Sequence, residues 1–339
     1  VSEAMSGRAR VGVRDVAAAA GVSTQTVSRV INDHPHIRPE TRERVITAMA
    51  ELGYRVNNAA RALGTATTRT IGVIASDTDL YGPAAGIGAL ERAARAAGQW
   101  IATAYADGSD AGSVTAAADH LLAQGVDGIV VVAPHTAALE TLAAASLGVP
   151  VVPLHARVDA AGERASGGGD RGAEGAALAV DHLLDAGHRR IAQLSGPAAW
   201  LEAVARDTGA ESALARRGLQ LAGRWRGDWS AGSGAAIASR IAAAVGEAAG
   251  PTAIVVANDQ MALGLISGLA RLGVDVPADV SVVGFDDHPD AAFYRPALTT
   301  VRLDIAGEAR RCVRILLGAD APAGPEPPRL VVRDSTRRV

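Results

Sequence analysis

The sequence predicts an α/β protein with a two-lobed core, each lobe a parallel sheet covered by helices, and a small all-α head in front of it. Three observations carry that reading. From Thr70 onward, short apolar runs alternate with helical stretches, and after SGGGD (166–170) the alternation starts again. Strand–helix alternation implies right-handed crossovers and parallel strands. Ahead of it, residues 13–32, VRDVAAAAGVSTQTVSRVIN, read as two short helices joined by a tight turn. Finally, 48% of the residues are apolar but only 3% are aromatic, so the apolar mass is Ala, Val, Leu and Ile. That mixture suits Val/Ile strands lying under Ala/Leu helices. A length of 339 residues holds two or three domains.

Residues 1–10 are small, polar and aperiodic, and are expected to be unordered. In the helical pair, Val16 and Ala20 lie one turn apart, as do Val27 and Ile31, so the two helices can bury facing stripes. Gly21 fits a left-handed C-cap of the first helix, and Ser23 the N-cap of the second. The outward side of the second helix then carries Thr24, Gln25, Ser28 and Arg29. Amide and guanidinium groups pair bidentately with base edges and hydroxyls reach phosphates, which is what a major-groove recognition helix needs. An ordinary helical hairpin with a solvated polar face has the same pattern. A third helix follows, with Pro39 at its first position, Val45, Ile46, Met49 and Leu52 as its apolar face, and Gly53 at its end. Residues 57–63 have helix formers but almost no apolar face, Gly64, Thr65, Thr67 and Thr68 weaken the helix, and the stretch reads as a conditional hinge that orders when something docks on it.

In the core, the strands are IGVIA (71–75), WIATAY (100–105), GIVVVA (128–133) and PVVPL (150–154), with helices at 87–98 and 115–125 between them. The second round runs through a helix at 175–188, RIAQLSG (190–196), ESALARRG (211–218), TAIVVAND (252–259), a helix at 261–273 and VSVVGFDD (280–287), with a last strand in 329–334. Two lobes leave a crevice, and open parallel sheets bind ligands beyond the carboxyl ends of their strands. The polar residues at those ends are Ser76, Asp77, Asn258, Asp259, Asp286 and Asp287.

Charge is distributed unevenly. The net charge is −3, yet residues 1–66 hold nine Arg against six acids. All 33 basic residues are Arg. A basic head on an acidic body fits a small DNA-binding module tethered to something else. The single cysteine, Cys312, permits no intrachain disulfide, no apolar run reaches membrane-spanning length, and the N-terminus lacks a signal-peptide core, so a cytoplasmic, nucleoid-associated protein is expected. No phosphate loop, nucleophile elbow or metal-ligand spacing is present. Asp286, Asp287 and His288 are merely contiguous in one loop. Catalytic residues, cofactors and metal ligands are therefore not expected.

The helix pair, the hinge-like NNAARAL (57–63) and the two-lobed core, in that order, resemble the lactose-repressor/galactose-repressor (LacI/GalR) family of bacterial transcription regulators. GDWSAGSG (227–234), VANDQMALG (256–264) and VVGFDDHPDAAFYRPALTTV (282–301) look most like its lactose-repressor branch. The resemblance implies a periplasmic-binding-protein-like core behind a helix-turn-helix head. It places the head at 1–55, the hinge at 56–69 and the core at 70–339, with lobe 1 about 70–167 plus 301–326 and lobe 2 about 168–300 plus 327–339. It further implies a repressor that reads a palindromic operator as a homodimer and binds a small sugar effector between the lobes. By residue match, Thr24, Gln25 and Arg29 would reach base edges, and Ser28, Asn32, His36, Thr41 and Tyr54 the phosphates. Asn57, Ala60 and Leu63 would meet the minor groove, with Leu63 wedged between base steps.

For the effector, the match implies Ser76, Leu80 and Pro83 from the near lobe, with His155, Arg206, Trp229, Asn258 and Asp286. A carboxylate, an amide and a guanidinium satisfy vicinal hydroxyls while an indole covers a sugar's C–H face. Asn258 and Asp286 equally fit as caps of the next helix, Arg206 as a solvated helix residue and Trp229 as core. A soluble sugar-binding or transport receptor, or a regulator answering to a corepressor such as a purine, are the competing functions. The sequence departs from the family where Gly12 and Arg38 replace cap residues and Val56 replaces a Pro. It also departs where His155 replaces an acid, Val132 an amide and Ile305 an aromatic. The chain ends without a Leu-heptad tail, so a dimer is the expected assembly.

Overall fold

A computed structural model describes residues 11–32, 34–55, 67–132, 135–154, 170–319 and 324–339. It divides into two compact units, 1–68 and 69–339. The stretch at 1–10, the hinge residues 56–66 and His155 lie outside the described residues.

The head is three helices: α1 (Val13–Ala20), α2 (Thr24–Ile31) and α3 (Pro39–Glu51). Gly21 ends α1 at φ 63°, and its N–H reaches the Ala17 and Ala18 carbonyls. The Ser23 hydroxyl accepts from the Thr26 N–H at 3.1 Å and starts α2. Neither Gly12 nor Arg38 supplies a side-chain cap, though the Gly12 N–H donates to the Asp15 carboxylate at 2.8 Å. Val16, Ala17, Ala20, Val27, Val30, Val45 and Ala48 form the buried centre. The expected face of α3 needs correction: Ile46 is 55% and Leu52 36% exposed. Ile46 follows Val45 directly and so points about 100° away from it, whereas Ala48, three residues on, shares its face.

The core opens with β1 (Thr70–Ala75), α4 (Tyr81–Ala96), β2 (Trp100–Tyr105), α5 (Ala111–Ala123), β3 (Gly128–Val132), α6 (Thr136–Ala144) and β4 (Val151–Pro153). These strands form a parallel sheet in the order β2-β1-β3-β4, with Ile71 beside Ile101 and Gly128. One face of the sheet packs on α4 and the other on α5 and α6. The second lobe runs α7 (Arg171–Asp185), β5 (Ile191–Ser195), α8 (Leu201–Ala215), β6 (Arg224–Arg226), α9 (Ala231–Val245), β7 (Ala253–Val256), α10 (Asp259–Arg271), β8 (Ser281–Phe285) and β9 (Thr299–Arg302). Then α11 (Ile305–Leu316) returns to the first lobe, where Ala309, Cys312 and Val313 join its core. Finally β10 (Arg329–Val331) closes the second sheet, in the order β10-β9-β8-β7-β5-β6.

Two details differ from the sequence reading. β10 pairs antiparallel to β9, so the second sheet is mixed at that edge. The chain leaves the second lobe after Arg302, because Val301 and Arg302 still pair with β10. In each sheet the strand order reverses beside its central strands, between β1 and β3 and between β5 and β7. Loops leaving such a switch point diverge to opposite faces and leave a crevice.

Candidate functional site

On the head, Thr24, Gln25, Ser28 and Arg29 are all exposed, while Val27 and Val30 of the same helix are buried. Thus α2 offers one polar face and is anchored by the other. Asn32 caps its end and its amide reaches Ser28 Oγ at 3.5 Å, with Asn32 Oδ1 buried and unpaired. His36 is exposed, Thr41 half-buried, and the Tyr54 ring packs on the head's core. Asn57, Ala60 and Leu63 fall outside the described residues.

In the core, a narrow cleft with room of about 70 Å³ for the centres of water-sized molecules lies where the two lobes face each other. Leu80, Pro83, Val132, Leu154 and Ile305 come from the first-lobe side and Trp200, Arg206, Trp229, Asn258 and Asp286 from the second. Six of the eight expected effector residues therefore line one cleft, Leu80 and Pro83 on one side and the other four on the facing side. Ser76 is buried at the end of β1 and is not among the cleft's lining residues. His155 lies outside the described residues.

The second-lobe wall is built from strained backbone and a buried ion pair. Asp286 leaves β8 at φ 102° and Trp229 sits at φ 75°. Bulky side chains rarely adopt positive φ, and such strain gathers at functional positions. Arg206 Nη2 donates to Asp286 Oδ1 at 3.1 Å, and Nη1 donates to the Ala257 carbonyl. The guanidinium lies 3.9 Å from the Phe285 ring centre and 5.5 Å from that of Trp229. Arg206 is thus no solvated helix residue: it is 7% exposed. Burial pushes the Asp286 carboxyl up from its ordinary range, and Arg206 pulls it back.

Asn258 does cap α10, its Oδ1 accepting from Met261 N–H at 2.9 Å, and its amide donates to the Trp229 carbonyl at 2.9 Å. The cap and the cleft wall are one device, because the same amide fixes the strained Trp229 backbone. Trp229 is 4% exposed and belongs to the lobe's core. Its ring fits only because residue 196 is Gly: a Cβ there would stand 2.4 Å from the indole. Two buried donors of the wall, Trp229 Nε1 and Arg206 Nε, have no partner among the described residues. An orphaned buried donor costs about 1–3 kcal/mol, which a ligand's acceptor recovers.

Among the lining residues that escaped the sequence reading, two stand out. Trp200 packs its ring 5.4 Å from Trp229, and a backbone bond from Thr136 N–H to the Ala199 carbonyl, 3.0 Å, ties the lobes beside it. Glu202 lies in the first turn of α8, and its Oε2 is buried without a partner among the described residues. The only signal was position: both stand between Gly196 and Arg206, just ahead of the expected effector-binding Arg.

The loop cluster at 286–288 is engaged structurally. Asp287 accepts from Arg302 Nε at 2.6 Å and Arg333 Nη2 at 2.7 Å. His288 Nδ1 accepts from Asp290 N–H at 3.1 Å. Among the described residues no three His, Cys, Asp or Glu side chains converge as metal ligands. Nor is any described helix long and apolar enough to cross a membrane.

Residues 13–57 match the family described as bacterial regulatory proteins, lacI family. Residues 180–336 match the periplasmic binding protein-like domain. The lactose operon repressor of Escherichia coli (strain K12) is 37% identical over 298 residues, spanning 87% of this chain and 80% of its own. The chain belongs to the LacI family. Another relative in that family's style of regulator, the HTH-type transcriptional repressor PurR of Mannheimia succiniciproducens, is 30% identical over 96% of this chain and 99% of its own. A lac repressor dimer solved with operator and the anti-inducer ONPF superposes with a TM-score of 0.79 at 34% identity, covering 97% of this chain and all of that one. As a LacI-family member the protein is a DNA-binding transcriptional repressor with an effector-binding, allosteric core, and its relatives are regulators rather than enzymes.

Proposed function

We propose that this repressor answers to a small sugar bound in the interlobe cleft, works as a homodimer in the cytoplasm, and reads a palindromic operator through α2. The observation that supports it best is the cleft wall itself. An ion pair, an indole face and two unpartnered donors stand opposite an apolar wall of Leu80, Pro83, Leu154 and Ile305. Hydroxyls on one face of a sugar take the donors, and its C–H face or an apolar aglycone takes the rest.

The head reads bases with Thr24, Gln25 and Arg29, and seats on phosphates with Ser28, Asn32, His36, Thr41 and Tyr54. The hinge at 56–69 folds on the minor groove, with Asn57, Ala60 and Leu63 as its contacts. The effector favours one arrangement of the lobes over another, which moves the two hinge starts and changes operator affinity. It does so only as far as it binds the two arrangements unequally.

The test is operator binding titrated with a sugar panel and, as the competing arm, with purines. Release or tightening by a sugar supports the reading. A response to purines alone replaces it with a corepressor, and ligand binding without any effect on DNA replaces it with a sugar receptor.

A further inference from the structure

Glu202 is the second residue of α8 and lines the cleft with Arg206, one turn further along the same helix. Among the described residues its Oε2 is buried with no hydrogen-bond partner. The charged groups that face it, among the described residues, are Arg206, Asp170 at the N-cap of α7, and Asp286 after β8. Arg206 is already taken, by Asp286 and by the Ala257 carbonyl. Asp170 Oδ1 accepts from the Gly172 and Ala173 N–H groups at 3.0 and 3.3 Å. Among the described residues the cleft wall therefore carries three carboxyls and one guanidinium, and the guanidinium is matched by Asp286. Glu202 is left as a buried acid facing an open cavity. Burial pushes its carboxyl up to about 7, against the pull of its own backbone N–H and of Arg206.

We infer that Glu202 selects the effector by charge: the site takes a sugar that presents an ammonium group to this carboxyl, prefers it to the neutral analogue, and rejects the acidic one. The inference rests on the cleft being the effector site. An ammonium brings three donors and no acceptor, and so fills the vacant Oε2 with a charge-assisted bond. A neutral sugar leaves Glu202 either protonated or poorly paired. An acidic sugar or a sugar phosphate adds another negative charge to a low-dielectric wall that already holds an excess of them. Trp229 Nε1 and Arg206 Nε remain free to donate to the sugar's hydroxyls, so the amine and the hydroxyls do not compete for one partner.

The experiment uses the full chain and two sugar frames, each in three forms: galactose, galactosamine and galacturonic acid, and their gluco counterparts. Affinities are measured by calorimetry at about pH 6 and about pH 7.5, on either side of the Glu202 titration. Within a frame the amine binds roughly tenfold tighter than the neutral sugar at the higher pH, the gap narrows at the lower pH, and the acid binds weakest. Glu202→Gln closes the gap between amine and neutral forms, and Glu202→Asp keeps its sign. A gap that survives Glu202→Gln, or acids that bind as tightly as amines, overturns the inference. Neutral and amine forms binding alike overturn it while leaving the sugar reading intact. Failure of every sugar to bind overturns both.

Discussion

Arg206 on α8 and Asp286 at the end of β8, 80 residues apart in sequence, are joined by one buried ion pair of 3.1 Å that forms part of the cleft wall. Both side chains are nearly sealed from solvent, at 9% and 14% exposure. Removing one partner of such a pair strands the other charge. Asp286→Ala is therefore expected to cost about 3–5 kcal/mol of core stability. Asp286→Asn keeps an acceptor for Arg206 and costs less. Both variants keep the head intact, and Asp286→Asn is expected to bind operator while losing its response to effector. Gel-shift titrations with and without sugar check this, and a normal response in Asp286→Asn would remove Asp286 from the site.

The recognition face makes a separate prediction. Arg29 is exposed on α2 and packs on nothing in the head's core. Arg29→Ala is expected to leave the melting of the head and the affinity for effector unchanged. It should cost about 1–3 kcal/mol in discrimination between operator and mutated operator. Competition binding at fixed salt reads that difference directly.

Ser23 starts α2 through its 3.1 Å bond from the Thr26 N–H. Because neither α1 nor α3 has a side-chain cap, this bond is a large share of what fixes the helix starts of a small domain. Ser23→Ala is expected to lower head stability by about 1 kcal/mol, and Ser23→Gly by only a few tenths. Thermal melts of the head's helical signal distinguish the two.

Glu202 gives a pH signature without any ligand. Its carboxyl is raised in the fold, so the native state holds a proton that the unfolded chain has released between about pH 4.5 and about 7. Stability contributed by the neutral form is full below that window and is lost as pH rises through it. Glu202→Gln is expected to melt like the wild type at about pH 4 and higher than it at about pH 8. The difference is about 2 kcal/mol after allowing for the partial exposure of the side chain. Equal melting at both pH values would mean the carboxyl titrates normally.

Much of this was legible in the chain. The turn at Gly21–Ser23 and the buried faces of α1 and α2 follow from spacing and capping alone, and α2 shows its polar residues outward as expected. Strands β1 to β5, β7 and β8 stand where the apolar runs placed them. The missed elements have physical reasons. The Ala/Gly/Ser-rich α9 shows little contrast between its faces, and β6 and β9 are only three and four residues long. The return of α11 to the first lobe is a tertiary fact that no local pattern encodes. In the site, the resemblance led to Arg206, Trp229, Asn258 and Asp286 because long motifs surround them. Glu202 stayed hidden because its meaning is its burial, and an acid in the first turn of a helix is ordinarily a favourable, solvated residue.

The central claim is a free-energy coupling between the α2 face and the interlobe cleft. Its most direct measurement is the affinity of the full chain for a selected two-fold symmetric duplex, with and without saturating sugar, at constant salt. The account predicts sequence-selective binding whose affinity moves at least tenfold when a sugar fills the cleft. Binding that is equal for every duplex, or selective binding that no cleft ligand shifts, would contradict it.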